Sequence, residues 1–250
     1  MDLGLKDKTA LVTGATSGVG SEVALSLAKE GANVAVNFRG AAEEADALVG
    51  EIAAKGGKAK AYQADVADFA AVKTMVDDIV KDFGGLNILI NNAGLAIRRR
   101  FMETKPEDWH RQIDACLYGA IHCCYAAAPH LHASKNGRIV SIVGDSSRVG
   151  ESGLAIVAAA RAGTIALMKS LAREFGRSGT TANTVALGLV ETLHDKEWVD
   201  ANREKLVKLY PLGRLGMPGD VAPMVTLLAS PHSGWITGQV LSISGGFSMV

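Results

Sequence analysis

The sequence predicts an α/β fold: one doubly wound parallel sheet with helices on both faces. Three observations carry that expectation. Short β-branched runs alternate with longer amphipathic segments along the whole chain. A glycine-rich turn, Gly14-Ala-Thr-Ser-Gly18-Val-Gly20, joins the first run directly to the first helix. At 250 residues and 48% apolar content, the chain has the size and core of one domain, residues 1–250.

In order, Thr9–Val12 reads as a strand, then a helix near Ser21–Glu30, a strand at Asn33–Asn37 and a helix over Ala42–Lys55. A strand at Ala59–Gln63, a helix at Phe69–Phe83 and a strand at Ile88–Ile90 follow. One long helix is expected near Pro106–His132, then a strand at Arg138–Val143, a helix near Gly153–Phe175 and a strand at Thr181–Val185. The polar segment Glu191–Leu209 lies past a strand end, where a small lid near 190–212 is expected over a cleft. A turn at Pro211–Arg214, a helix from Asp220 to Ala229 and a last strand at Val240–Ile243 close the chain. Crossovers in such a sheet are right-handed, and ligands bind at the carboxyl ends of the strands.

The charge balance, 26 basic against 26 acidic side chains, gives no overall pull toward nucleic acid or anionic membranes. The one basic run is Arg98-Arg99-Arg100, which is read as a solvated loop or as a contact for a CoA phosphate or a substrate carboxylate. No leader-like segment and no run of eighteen apolar residues occurs, so a cytoplasmic, non-membrane protein is expected. Cys116, Cys123 and Cys124 are odd in number and lack zinc-site spacing, so they read as reduced thiols and no metal is expected.

The strand, glycine turn and helix sequence is the signal of a Rossmann-type dinucleotide site. Gly14 permits the tight turn, Gly18 lets the backbone approach a pyrophosphate and Gly20 lets helix and strand pack closely, while the helix N-terminus offers free N–H groups to the anion. The second strand ends Val36-Asn37-Phe38-Arg39, without the acid that usually holds a ribose 2′-hydroxyl. Arg39 reads either as a partner for a 2′-phosphate, which favours NADP over NAD, or as a solvated side chain at a strand end.

With Asp65-Val66 after the third strand and Asn91-Asn92-Ala93-Gly94 after the fourth, the chain resembles the short-chain dehydrogenase/reductase family over its whole length. Gly213-Arg-Leu-Gly216, Asp220-Val-Ala222, Ile236-Thr-Gly-Gln239 and Gly245-Gly246 are similar to that family's C-terminal signature. The resemblance implies that Gly14, Thr16, Ser17, Gly18 and Val19 surround the pyrophosphate and that Asp65 and Val66 flank the adenine. It also implies that Asn92, Ala93 and Gly94 pass beneath the nicotinamide side, and that Thr192 contacts the carboxamide. The family uses an Asn, Ser, Tyr, Lys tetrad, with the tyrosine carrying the proton of the substrate oxygen.

Register against the family places all four tetrad positions on other residues. Arg138-Ile-Val-Ser-Ile-Val-Gly144 resembles the strand that ends at the serine, so Gly144 takes its place; the tyrosine position falls on Val157 and the lysine position on Arg161. The asparagine position, counted from Trp109, is Cys116. Valine carries no titratable proton, and loss of a positioned general acid/base typically costs roughly 10²- to 10⁴-fold in rate. Arg161 keeps a charge for a ribose but is a poor proton donor near neutrality. Asp145, Ser146, Ser147 and Arg148 at the strand end, and Tyr118 and His110 on the helix of Cys116, are read as turn caps or solvated residues aimed elsewhere. Leu187 stands where the family commonly has proline, which is expected to loosen the turn.

Three readings follow. The first is a non-catalytic subunit of a hydroxyacyl or ketone dehydrogenase assembly, tetrameric and paired with a homologue that keeps the tetrad. The Ala-rich helix from Leu154 to Gly163 corresponds to a surface through which family members pair, and Arg148-Val-Gly150 is similar to family members acting on hydroxyacyl-CoA or alicyclic hydroxy acids. That class includes a mixed dehydrogenase of anaerobic toluene breakdown with one inactive subunit. The second is an active NADP-dependent oxidoreductase of non-standard mechanism on a small molecule or CoA thioester. The third is a nucleotide-binding sensor or scaffold.

Overall fold

The structure is a computed structural model that describes residues 2–192 and 196–250. Seven strands form one sheet in the order β3-β2-β1-β4-β5-β6-β7: β1 (Thr9–Val12), β2 (Asn33–Phe38), β3 (Lys58–Gln63), β4 (Ile88–Asn91), β5 (Arg138–Gly144), β6 (Thr181–Leu187) and β7 (Val240–Ile243). Every neighbouring pair is parallel. The order reverses between β1 and β4, which opens a crevice at the carboxyl ends of those strands.

The two-residue period of the strands divides the core between the faces. Ala10, Val12, Val34, Val36, Ile88 and Ile90 point to one side, where α1 (Gly18–Lys29), α2 (Ala42–Ala54) and α9 (Pro218–Ala229) bury Val23, Leu27, Leu48, Ile52, Val225 and Leu228. Leu11, Ala35, Leu89 and Ile139 point to the other, against Met75, Ile79, Leu131 and Met168 of α3 (Phe69–Phe83), α5 (Gly119–Ala133) and α7 (Ala155–Phe175). Each large aliphatic side chain so buried contributes roughly 1.5–3 kcal/mol. Asp68 caps α3 by accepting from the N–H groups of Ala70 and Ala71, and Gly84 ends it in the left-handed conformation, so the predicted helix has sharp limits.

Four departures from the sequence reading bear on the site. The long helix near Pro106–His132 is α4 (Pro106–Ile113), a π-helical segment at Asp114–Tyr118 and α5, so the widened turn falls around Cys116. Strands β5 and β6 run on to Gly144 and Leu187, which pair with each other. A short helix, α6 (Ser146–Val149), follows β5 at once. Within the lid, α8 (Lys196–Val207) buries Val199 with Tyr210 and Leu215; residues 193–195 lie outside the described residues.

Helix α7 is long and apolar enough to cross a bilayer, but it packs on the sheet through Met168 and Ala172 and on the π-helical segment through Val157 and Thr164. Only 28% of its most apolar stretch is buried, because Ala155, Ala159 and Ala166 face outward.

Candidate functional site

The glycine turn is built by mutual support from three strand ends. Thr13 Oγ1 accepts from the N–H groups of Asn92 and Ala93 at 3.0 Å each, and Asn92 Nδ2 donates to the carbonyls of Thr13 and Gly14 at 2.9 Å. Asn37 Oδ1 accepts from Gly14 N at 3.1 Å, while its Nδ2 donates to Ala64 O at 3.0 Å, tying the ends of β1, β2 and β3 together. Thr13 and Asn37 were not among the expected site residues; as buried polar groups at strand ends they are the signal sequence reasoning passed over.

Gly14 and Gly18 sit at φ +58° and +56°. A Cβ on Gly20 would stand 2.5 Å from Asn92 Nδ2, so this position serves close packing. Helix α1 begins at Gly18, and Ser17, its N-cap, makes no side-chain cap bond, so the first-turn amides are left to face an anion. Thr16, Ser17 and Val19 lie on this turn as expected. Thr192 lies over it: its methyl carbon is 2.9 Å from where a Cβ on Gly18 would be. Thr192 therefore meets the pyrophosphate turn itself.

Arg39 and Asp65 are exposed at the neighbouring strand ends, with Nη1 and Oδ2 3.9 Å apart, and Asp65 Oδ1 accepts from Ala67 N at 2.9 Å. Val66 is turned inward and packs on Gly119. These residues and the uncapped turn fit the adenosine and pyrophosphate half of a dinucleotide.

The other end of the crevice is rebuilt. Val157 is fully buried in a small apolar cluster with Cys116 and Ala160, flanked by Ile113, Leu117 and Leu154. Cys116 Sγ both accepts from Leu95 N and donates to Leu95 O at 3.4 Å, which pins the loop following Gly94 to the π-helical segment. The guanidinium of Arg161 spans the gap between two glycines. Its Nη2 lies 3.5 Å from where a Cβ on Gly94 would be, and its Nη1 lies 3.1 Å from the corresponding point on Gly144. A serine at 144 would press on Arg161 and Ser146, which would have to give by a few tenths of an ångström. Beneath the guanidinium a cavity of about 10 Å³, room for one water, is lined by Thr13, Asn91, Cys116 and Thr164.

Three residues expected to be solvated or aimed elsewhere are not. Asp145 is 1% exposed, accepts from Ser242 Oγ at 2.7 Å and lies 3.9 Å from Arg148. Arg148 donates to Ser242 Oγ at 2.5 Å and to the terminal Val250 O, so the C-terminus is tied to the end of β5. Ser146 is 6% exposed and its Oγ lies 3.2 Å from the missing Cβ of Gly144, on the same side as Arg161. The short helix α6 turns these residues inward, which strand-period reasoning does not foresee. Ser147 does cap the turn, donating to Gly144 O at 2.6 Å, and Tyr118 is exposed on the outer face. At Leu187 the carbonyl accepts from Asp145 N at 2.8 Å, and Gly188 N donates to Ile243 O.

Among the described residues no group of three or more His, Cys, Asp or Glu could hold a metal. Burial drives the Cys123 thiol pKa up, and pushes that of Cys124 to about 12. Both thiols are inert packing groups.

Comparison with known proteins agrees with this geometry. Residues 14–248 match the family described as enoyl-(acyl carrier protein) reductase. The 3-oxoacyl-[acyl-carrier-protein] reductase FabG of Staphylococcus aureus is 41% identical over 242 residues, covering 97% of this chain and 98% of that one. The (2S)-[(R)-hydroxy(phenyl)methyl]succinyl-CoA dehydrogenase subunit BbsD of Thauera aromatica is 36% identical, covering 99% of each chain. A crystal structure of a dehydrogenase/reductase from Sinorhizobium meliloti 1021 superposes with a TM-score of 0.92 at 33% identity, covering 99% of this chain and 98% of that one.

Proposed function

The chain belongs to the short-chain dehydrogenase/reductase family, and from that membership we propose that it is a non-catalytic subunit of a hydroxyacyl or ketone dehydrogenase assembly. One observation carries the reading: the position of the family's proton-carrying tyrosine is Val157, fully buried among Cys116, Ala160 and Leu154. No hydroxyl reaches the cleft from that point of α7. Arg161 fills the adjoining space with its guanidinium.

NADP is the dinucleotide this chain would hold. Gly14, Thr16, Ser17, Gly18 and Val19 would take the pyrophosphate, Arg39 the 2′-phosphate, Asp65 and Val66 the adenine side, Asn92, Ala93, Gly94 and Arg161 the far ribose, and Thr192 the carboxamide. Bound NADP would supply hydride chemistry; among the described residues, Val157 at the tyrosine position offers no group for the accompanying proton. Its contribution is then to hold the shape of an assembly.

The uncovered alanine face of α7 supports a helical interface, because small residues let helix backbones approach closely and an apolar face of that length calls for a partner. The printed name of the Thauera relative is that of a dehydrogenase subunit, which accords with a mixed assembly. The partner proposed is a homologue with an intact tetrad, in a tetramer acting in the cytoplasm on a small molecule or CoA thioester. Co-expression with such a homologue, followed by native mass spectrometry, tests this: mixed tetramers support it, and a chain that assembles only with itself contradicts it.

A further inference from the structure

We propose that the rebuilt strand end is a carboxylate-binding site, formed by the Arg161 guanidinium and the Ser146 hydroxyl. This deepens the reading of a non-catalytic subunit and rests on it, since it assigns a ligand to the space a proton-transfer tetrad would occupy.

The argument starts from what Arg161 lacks. Among the described residues it makes no hydrogen bond, and no acid lies within 4 Å, although it is half-buried where β4 and β5 end. The acid next along the chain from Gly144, Asp145, is engaged by Ser242 and Arg148, and Glu151 by Arg98. A partly desolvated guanidinium without a carboxylate is unusual, because burial of a charge is costly unless it is paired.

Ser146 supplies the second, independent observation. Its side chain is nine-tenths buried, yet its Oγ bonds to no described residue, and it faces the same point beside Gly144 at 3.2 Å that Arg161 Nη1 faces at 3.1 Å. Both donors lie beside the same face of Gly144, where one ligand approaches both. The remaining guanidinium N–H groups are free to take the second oxygen, the fork geometry for which arginine suits carboxylates. Gly144 and Val157 supply no competing hydroxyl, and the location is the carboxyl end of parallel strands, where this architecture binds ligands.

Isothermal titration of the full chain with succinate and with benzoate, against succinamide and benzamide as neutral isosteres, tests the site. Inorganic phosphate in a parallel titration separates a carboxylate site from a general anion site. Binding of the acids in the millimolar range is expected, with at least tenfold weaker binding of amides and phosphate. Arg161→Lys should weaken the acids about tenfold by removing the fork, and Ser146→Ala several-fold, while 2′,5′-ADP binding at the glycine turn stays within twofold in both. Equal affinity for acids and amides, no heat with the acids at 20 mM (roughly tenfold above a millimolar Kd), or acid binding unaffected by Arg161→Lys would overturn the assignment. NADPH turnover by the isolated chain would instead sink the non-catalytic reading, so the two failures are separable.

Discussion

Arg161 and Gly144 are close neighbours: the guanidinium Nη1 stands 3.1 Å from the point a Cβ on residue 144 would occupy. A side chain at 144 would make the guanidinium give way by a few tenths of an ångström. The contact places the residues at positions 116, 144, 157 and 161 around one end of the crevice. Val157 and Cys116 close the apolar cluster beneath it, and Arg161 spans the space above Gly144.

The cluster predicts the outcome of a partial reversal. Val157→Tyr places a ring in a fully buried site among Cys116, Ala160 and Leu154, and overpacking of this kind costs about 1–3 kcal/mol. Urea denaturation should show a lowered midpoint with an unchanged slope, and the variant should gain no measurable turnover. A stable, active Val157→Tyr protein would mean the cluster is looser than described.

The glycine turn is legible in the sequence, as are the order of elements along the chain and the helices on both faces, because strand period and turn chemistry are local properties. Phe69–Phe83 matches to the residue, since Asp68 and Gly84 cap it. The spatial order of the strands is non-local and comes from the structure alone. The π-helical widening at Asp114–Tyr118 and the inward turn of Asp145 and Arg148 involve Leu95, Ser242 and Val250, residues far apart along the chain. The contact between Arg161 and the Gly144 face is likewise visible only in the fold.

Gly18 is held at φ +56° under the methyl of Thr192. Gly18→Ala is expected to lower stability by about 1–2 kcal/mol from the backbone alone, and to abolish binding of 2′,5′-ADP measured by titration. Adding Thr192→Ser should recover stability in part, by removing the methyl, without restoring the nucleotide.

Arg39 is exposed and only loosely engaged by Asp65 at 3.9 Å, leaving it available to a 2′-phosphate. Arg39→Ala should weaken NADPH about tenfold, on the order of 1.4 kcal/mol for a charge-assisted contact, and leave NADH unchanged. Equal losses for both nucleotides would remove the basis for preferring NADP.

Asp220 accepts from both Arg214 Nη atoms at 2.6 and 2.7 Å and from Met217 N at 2.7 Å at the start of α9. The arginine first, and then the amide, hold its carboxyl near a pKa of about 2, below the usual 3.8. A carboxyl with a depressed folded-state pKa contributes stability above its unfolded value and loses it as pH falls through the folded one. Asp220→Asn should therefore cost about 1 kcal/mol at neutral pH, a typical value for a helix start partly open to solvent. The difference from the parent protein should shrink between pH 4 and pH 2 in thermal melts.

The central claim is that this dehydrogenase-like chain does not itself carry out the proton-coupled reduction. Its most direct test is the steady-state rate of the isolated chain with NADPH and a panel of ketones and 3-oxoacyl thioesters. The account predicts a rate below about 0.1 s⁻¹, a hundredfold under the roughly 10 s⁻¹ median of enzymes. A rate of several per second from the chain alone would contradict it.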